Sequence, residues 1–574
     1  MNNLQLKREF SPLSMGKKTR QRLTTYILIG VIIFFFVIPI IRLFILSLIQ
    51  DGQVTLATYV DVLGEGRTWY MLENTVWMVL GSTAISVALG MMFAWIIAYS
   101  DIRGKLLMQL FILIPFIVPS YIVTLSWTQL MSRNGPVASI LDWMPFQFEP
   151  INMYSMGGMI FVLGLSHFPL VYLFTVGVLR RIPRDLEWIA RSSGAKRRQV
   201  FLRITMPLAL PGLASGGLIA FIANLDNFGI PAFLGIPANI PVLSTAIYQE
   251  VVGFGPSAFS RAATLSVILG LIALGGTLIQ WLFVRKSKRL ETVQEDHSPR
   301  YSLGRFKTVL EISLWSFLLF VTIVPVISMM RSSLIKTYGL PFKLEHLTFS
   351  HYSFVLFEND RVLGAILNSF VLATVTAIVC IIVGTTFAYM RTRKPNNLTR
   401  ILEIFIGLPY ALPGMVLALA MIFMWLQPIP GWNPGIYGTI FILLIAYITR
   451  FMILQVRGSI TAMSQIDPSM EEAAQVFGAK ATSKWKRILL PLMLPSLLSG
   501  ALLVFLTSLT ELTVSSLLWS SGSETIGVVI FNFEQAGYTT YSTAFSTVIV
   551  LGILLGMAVF YIFQQMWKKR VTEP

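Results

Sequence analysis

The sequence is poor in charged residues and nearly free of cysteine. Asp, Glu, Lys and Arg make up 12% of its 574 residues, against roughly 25% in an ordinary soluble domain. This scarcity excludes a soluble globular protein. The single cysteine, Cys380, permits no internal disulfide and no cysteine-based metal site. The four histidines are scattered and form no metal-ligand spacing.

Catalytic motifs are missing as well. The sequence contains no Gly-x-x-x-x-Gly-Lys-Ser/Thr phosphate-binding loop, so we predict that the chain does not hydrolyse ATP itself. It also shows no nucleophile elbow and no paired acid and base. We therefore expect a protein that is not an enzyme and that holds no cofactor of its own.

Long apolar stretches dominate what is present. Hydrophobic residues make up 55% of the chain, and its mean hydropathy is +0.71. Stretches of about 20 apolar residues cross a hydrocarbon core of ~30 Å as helices, because lipid offers the backbone no hydrogen-bond partners. The sequence thus predicts an all-α polytopic membrane protein with about 12 transmembrane helices. The predicted spans are 24–48, 72–99, 106–130, 156–179, 207–234, 262–284, 309–331, 363–390, 401–426, 437–456, 493–519 and 543–566.

The distribution of basic residues predicts the orientation of the chain. Of the 44 Lys and Arg residues, 35 lie in the termini and the even-numbered loops, and seven lie in the odd-numbered loops. The other two, Arg42 and Arg450, fall within spans. By the positive-inside bias, both termini and the even-numbered loops are cytoplasmic. Because the charges flank span ends, topology and lipid headgroups account for the net charge of +17, and we expect no nucleic-acid partner.

The two halves of the sequence repeat each other. Asn74 and Gly90 match Asn368 and Gly384 at an offset of 294 residues. Four prolines match at the same offset and predict kinks in the third and ninth spans. They are Pro115, Pro119, Pro409 and Pro413. These landmarks predict two homologous six-helix halves.

A second match lies in the loops after the fourth and tenth spans. Residues 186–195 align with residues 470–479 at an offset of 284. Each segment is typical of a short amphipathic helix that ends at a glycine and is tied by a proline to the next span. A helix resting on lipid headgroups would explain the amphipathicity but not the shared spacing. We interpret both helices as levers, because a push on a rigid helix outside the lipid tilts the attached span.

The second of these segments carries a family motif. Glu472-Ala473-Ala474 is followed by Gly478 and then by Leu490-Pro491. This pattern resembles the EAA loop of binding-protein-dependent ABC importer permeases, which docks on the ATPase. The first segment keeps only part of the motif, with Trp188 and Ile189 where the family has Glu and Ala. The resemblance implies ATPase-coupling roles for Glu187, Ala190, Gly194, Glu471, Glu472, Ala473, Ala474 and Gly478.

The same resemblance implies an architecture and a set of partners. The chain would comprise two permease domains of the type I ABC importer fold, in the bacterial cytoplasmic (inner) membrane with both termini cytoplasmic. Its partners would be membrane lipid, an extracytoplasmic solute-binding protein and two ABC ATPase subunits, which would bind ATP and Mg. The expected segments are an N-terminal segment 1–23, a first domain 24–284 with coupling loop 184–206, a cytoplasmic linker 285–308, a second domain 309–566 with coupling loop 468–490, and a tail 567–574.

Two further segments resemble the ferric-iron importer branch of this family. They are residues 114–121 (IPFIVPSY) and 227–237 (NFGIPAFLGIP). Fused thiamine permeases look similar, and Thr513 stands where the iron branch usually has proline. We expect ferric iron as the solute, with thiamine, polyamine or another small solute as the alternative. A secondary transporter of the major facilitator type is a remote alternative, suggested by the loop at 101–105, and it would need no paired levers.

Acidic residues within the spans are candidates for the solute path. Asp226 and Glu511 lie at nearly equivalent positions in the two halves, and an ionisable group in hydrocarbon costs roughly 2.5–3.5 kcal/mol. With Tyr121 and Tyr410 they form the candidate translocation path, in which the two carboxylates would ligate a transported metal cation. Alternatively, Asp226 and Glu511 cap or hydrogen-bond neighbouring helices. The sequence leaves both interpretations open.

Overall fold

The chain is helical almost throughout the part that the structure describes. This computed structural model describes residues 26–50, 53–142, 149–253, 258–286, 295–426 and 433–572, and the predicted N-terminal segment 1–23 lies outside them. Strand structure within these ranges is one antiparallel hairpin of β1 (Ile49–Gln50) and β2 (Gln53–Val54). The predicted all-α class is confirmed.

The helices of the first half alternate long spans with short connecting helices. In chain order they are α1 (Tyr26–Ser47), α2 (Ala57–Gly64), α3 (Gly66–Tyr99), α4 (Lys105–Ile117), α5 (Ser120–Leu130), α6 (Pro136–Leu141), α7 (Met156–Leu179), α8 (Arg184–Ser192), α9 (Arg197–Asp226), α10 (Leu243–Val252) and α11 (Ala258–Lys286).

The second half repeats the order of the long spans and of the short helix between the fourth and fifth spans. Its helices are α12 (Gly304–Ser333), α13 (Ser350–Ser353), α14 (Asp360–Arg393), α15 (Asn397–Ala411), α16 (Gly414–Trp425), α17 (Ile440–Ser464), α18 (Pro468–Val476), α19 (Ala481–Leu509), α20 (Ser515–Leu518), α21 (Ile526–Gln535) and α22 (Thr539–Thr572). Helices α3 and α14 each have 34 residues, and α8 and α18 each have nine. The sequence repeat is therefore also a repeat of helices.

Ten helices of the described residues are long and apolar enough to cross a membrane, and two bent pairs raise the count to 12. The pairs are α4 with α5, bent by 99°, and α15 with α16, bent by 106°. The predicted number of spans is confirmed, but the predicted kinks are sharp breaks. Each break ends at Pro119 or Pro413, because proline lacks an N–H and disfavours helical backbone at the residue before it.

The fifth and eleventh spans end earlier than the sequence predicts. Their predicted ends were 234 and 519, whereas α9 ends at Asp226 and α19 ends at Leu509. The residues that follow α9 are apolar but lie inside the protein, and Pro231–Gly235 is buried throughout. Hydropathy does not distinguish an apolar segment in lipid from one buried in protein, so these predicted ends were wrong.

The first span of each half packs against the broken span of the other half. Helix α1 contacts α15 and α16, while α12 contacts α4 and α5. Arg42, within α1, donates from Nη1 to the carbonyl oxygen of Met424 over 3.2 Å. This reciprocal exchange holds the two halves together.

Matched glycines let three spans approach closely in each half. A Cβ on Gly90 or Gly216 would lie under 3 Å from Val171. In the second half, a Cβ on Gly500 would lie 2.6 Å from the side chain of Gln455, the counterpart of Val171. The repeat thus preserves the packing of the second, fourth and fifth spans of each half.

Candidate functional site

The two matched loops form the short helices α8 and α18, which we call the loop helices. They begin at Arg184 and Pro468, and each follows a residue with extended backbone. At the start of α18, the Asp467 carboxylate accepts a hydrogen bond from the backbone N–H of Ser469 at 2.9 Å. This side chain satisfies one of the backbone donors that a helix start leaves free.

Both loop helices end at a glycine in the left-handed conformation, as predicted. Gly194 has φ +89° and Gly478 has φ +75°. The N–H of Ala195 bonds to the carbonyl of Ala190, and that of Ala479 bonds to the carbonyl of Ala474. These six-residue closures are Schellman motifs, which favour glycine because it has no Cβ to clash at positive φ.

The outer faces of the loop helices are apolar and exposed. On α8, Trp188 is 50% exposed and Ile189 is 64% exposed. Val476 and Phe477, at the end of α18, are 84% and 89% exposed. Glu472 and Ala473 are exposed beside them, and Ala190 and Ala474 are half-buried. An exposed apolar patch on a short extramembrane helix is typical of a protein–protein contact.

The inner faces of the loop helices carry one buried glutamate each. Glu187 is 4% exposed and Glu471 is 5% exposed. Glu471 binds Arg393 Nε at 2.6 Å and Lys484 Nζ at 2.7 Å. Burial acts to raise the pKa of Glu471, but the hydrogen bonds from Lys484 and Arg393 outweigh it, so the pKa lies below the ordinary glutamate value. The predicted coupling residues therefore divide into six exposed or half-buried residues and two buried anchors, Glu187 and Glu471.

Asp226 lies at the end of α9 and is bonded to the other half of the chain. Its Oδ2 is 2.6 Å from Nη2 of Arg450, and its Oδ1 accepts the N–H of Gly414 at 2.6 Å. The Arg450 side chain is only 7% exposed. The guanidinium thus neutralises the Asp226 carboxylate in this conformation.

Glu511 caps a helix of its own half. Its carboxylate accepts the N–H groups of Val514 and Ser515 at 2.7 and 2.9 Å, and the Ser515 hydroxyl at 2.7 Å. Asn227, its counterpart, accepts the N–H of Ile230 at 2.9 Å. Both residues therefore support the same turn after the fifth span of their half.

The two candidate tyrosines lie in different surroundings. Tyr121 is 2% exposed and stacks on Phe233 with 6.2 Å between ring centroids. Tyr410, in α15, is 44% exposed. Among the described residues, no group of three or more His, Cys, Asp or Glu side chains is close enough to hold a metal ion. Roles for Asp226, Glu511, Tyr121 and Tyr410 in the solute path, and of the two carboxylates as ligands of a transported metal, stay predictions.

Sequence reasoning missed two arginines that complete these sites. In the sequence Arg450 stands out only as a charge within a span, although such a charge signals a buried partner. Arg300, in the predicted linker, binds Glu187 with 3.2 Å between Nη1 and Oε1, and no sequence pattern pointed to it. Each partner lies more than 100 residues away along the chain.

Comparison with known proteins identifies a family model that matches the chain twice. The model describes the inner membrane component of binding-protein-dependent transport systems, and it matches residues 86–291 and 380–573. The two matches fall in the two halves that the structure repeats.

Several relatives match over long stretches. A ferric transport system permease protein of Actinobacillus pleuropneumoniae is 24% identical over 96% of this chain and 79% of its own length. A putative ferric transport system permease protein of Haemophilus influenzae is 26% identical over 87% and 77%. A molybdenum transport system permease protein of Escherichia coli is 30% identical over 34% of this chain and 85% of its own length. A crystal structure of a bacterial alginate ABC importer matches 47% of this chain and 97% of its own chain, with 18% identity and a TM-score of 0.38.

Proposed function

Because the chain belongs to the family of binding-protein-dependent transport system inner membrane components, we propose that it forms the path of an importer for ferric iron. An extracytoplasmic binding protein delivers the solute, and two ATPase subunits drive transport from the loop helices α8 and α18. The chain contributes no ATP chemistry of its own.

The duplicated loop helices carry this proposal. Each has an exposed apolar outer face that fits a docking partner and a buried glutamate that ties it to the spans. Helix α9 begins three residues after Gly194, the glycine that ends α8, and α19 begins three residues after Gly478, the glycine that ends α18. A displacement of either loop helix is therefore transmitted through a short segment to the fifth span of that half.

Support for iron comes from relatives rather than from side chains. The ferric permeases match 87% or more of this chain, whereas the molybdenum permease matches 34% of it. Asp226 is already paired with Arg450, so its charge gives no independent argument for a cation. Thiamine and polyamine remain the alternatives for the same machine.

Solute and docking are tested separately. Cells lacking the chain are compared with complemented cells for uptake of radiolabelled ferric iron, thiamine, spermidine and molybdate. We expect only iron uptake to depend on the chain, and loss of another solute's uptake instead contradicts the iron assignment. Accumulation by the purified chain alone in vesicles, driven by an ion gradient, contradicts the ATP-driven mechanism.

Docking is tested at the outer faces of the loop helices. Phe477→Asp and Trp188→Asp should release the ATPase subunits during affinity purification, because a charge in an apolar contact stays unpaired. Phe306→Asp is the matched control, since Phe306 is 65% exposed but lies at the start of α12, outside both loop helices. Equal ATPase recovery from all three variants contradicts docking at α8 and α18.

A further inference from the structure

The two buried glutamates of the loop helices obtain their cations from different parts of the chain. Glu471, on the inner face of α18, binds Arg393 at the end of α14 and Lys484 at the start of α19. Both cations belong to the second half itself. The anchor of α18 is therefore complete within its own half.

The first half lacks both of these cations. At the offset of 294 residues that relates α3 to α14, Tyr99 replaces Arg393. At the offset of 284 that relates the loop helices, Val200 replaces Lys484. Glu187 is nevertheless as buried as Glu471. A buried carboxylate without a cation is costly, so the first half needs a charge from elsewhere.

Arg300, which precedes the second half, supplies that charge. Its Nη1 lies 3.2 Å from Oε1 of Glu187, and its side chain is 3% exposed. The guanidinium also lies over the ring of Tyr99, with 4.4 Å to the centroid, and donates to the carbonyl oxygen of Ile182. The Thr205 hydroxyl donates to the same Glu187 oxygen at 2.7 Å. Arg300 thus occupies the place that Arg393 has in the second half.

The chain around Arg300 is attached to the first half at several points. The N–H of Asp296 bonds to the carbonyl of Arg180 at 2.9 Å, and the N–H of Arg300 bonds to that of Tyr99 at 2.7 Å. Further contacts join this segment to the first half. They are Arg181 with Glu295, Arg184 with Ser298, Tyr301 with Tyr99, and Leu303 with Asp101. Residues 295–303 therefore bind the first half along their length and do not merely connect the two halves.

We infer that residues 295–303 are part of the first coupling unit, and that Arg300 positions α8 by binding Glu187. This inference rests on the proposed function of the loop helices. A loop helix transmits force only if its inner face is fixed to the spans. Without Arg300, α8 shifts relative to the spans when the ATPase pushes on it. Less solute is then transported for each ATP hydrolysed.

The test compares single variants of the reconstituted importer, with its ATPase subunits and binding protein, for solute transported per ATP hydrolysed. Arg300→Ala should lower this ratio by about 5-fold or more, the size of a typical coupling energy between sites. Arg393→Ala is the matched control in the second half. If only Arg393→Ala lowers the ratio, the inference about Arg300 is wrong and the proposed function stands. If neither variant lowers it, the role of the loop helices is wrong as well.

A rescue variant separates positioning from folding. Tyr99→Arg places an arginine where the second half has Arg393, so Arg300→Ala combined with Tyr99→Arg should recover most of the lost ratio. A failure of this rescue while the protein level and melting temperature match those of the parent overturns the positioning role. Should Arg300→Ala fail to accumulate, Arg300→Lys is measured instead, because it keeps the charge near Glu187. Arg300→Lys should then lower the ratio less than Glu187→Ala, and an equal loss overturns the inference.

Discussion

At the scale of single residues, the same position serves the same purpose with different chemistry in the two halves. Glu511 caps the turn before α20 with a carboxylate, and Asn227 caps the matching turn with an amide. A sequence alignment places these residues opposite each other and marks them as unusual within apolar surroundings. It does not reveal the backbone donors that they bind, because those donors appear only once the span ends.

Glu511 tests whether capping or charge is the function of this position. Glu511→Ala leaves three donors without their acceptor and should lower the free energy of unfolding by about 1–3 kcal/mol or more. Glu511→Gln keeps an acceptor oxygen and should lose less. Melting temperatures in detergent measure both variants.

Solute uptake by the Gln variant decides between the two roles. If it transports like the parent chain, the charge has no part in the path. If Glu511→Ala has the melting temperature of the parent, the hydrogen bonds from Val514 and Ser515 to Glu511 do not stabilise the protein, and the capping role is wrong.

Arg450 shows where residue-scale prediction stops. The sequence identifies Asp226 as a charge that needs a reason, but its partner lies 224 residues away in the other half. Only the fold of the whole chain brings the end of α9 next to Gly414 in α16 and Arg450 in α17. The sequence near either residue does not predict that Asp226 and Arg450 are in contact.

At the scale of elements, helix type and order were predictable and helix ends within the protein were not. Hydropathy located the spans, and the glycine and proline pattern located both loop helices, because these signals are local. The ends of α9 and α19 were misplaced, since the apolar segments that follow them pack inside the protein. The breaks at Pro119 and Pro413 were foreseen in position but not in their angle, which the surrounding helices decide.

The attachment of α18 should depend on pH through Glu471. Its pKa in the folded chain lies below its ordinary value, which is about 4.3 in an unfolded chain. The carboxylate therefore stabilises α18 fully above that value, and the stabilisation is lost as the pH falls through the folded pKa. Amide hydrogen exchange in α18, corrected for intrinsic rate, should accelerate below about pH 4.

Glu471→Gln provides the control for this prediction. The variant lacks the titrating group, so its α18 amides should exchange faster than those of the parent at neutral pH and change little with acid. Protection of the parent helix that persists unchanged to about pH 3 would contradict the role of the ion pairs.

At the scale of the whole molecule, the halves are joined by exchanged spans and by charge. Helices α1 and α12 each pack on the broken span of the opposite half, and the Asp226–Arg450 pair crosses between the halves. The sequence predicts the two homologous halves. It did not predict the exchange, because hydropathy reports whether a helix is buried in apolar surroundings and not what it contacts.

The cross-half ion pair should matter most when one partner is removed. Arg450→Met leaves the Asp226 carboxylate without its cation and should lower the free energy of unfolding by up to about 3 kcal/mol. The double variant Asp226→Asn with Arg450→Met should be more stable than Arg450→Met alone, because no unpaired charge remains.

A double-mutant cycle of melting temperatures measures this coupling. Arg457→Met is the matched control, since Arg457 lies on the same helix with an exposed side chain, and it should change stability little. Additive effects of the two substitutions would show that the pair contributes nothing between the halves.

The attachment of residues 295–303 to the first half has a consequence for dividing the molecule. A cut ahead of residue 295 would leave those nine residues as the leading end of the second polypeptide, carrying the arginine that the first polypeptide lacks. This end would bind the surface of the first half that contains Glu187 and Tyr99. Co-expressed fragments should therefore associate through this contact as well as through their spans. A second fragment taken from a relative should assemble poorly with this first fragment if its residues at this contact differ.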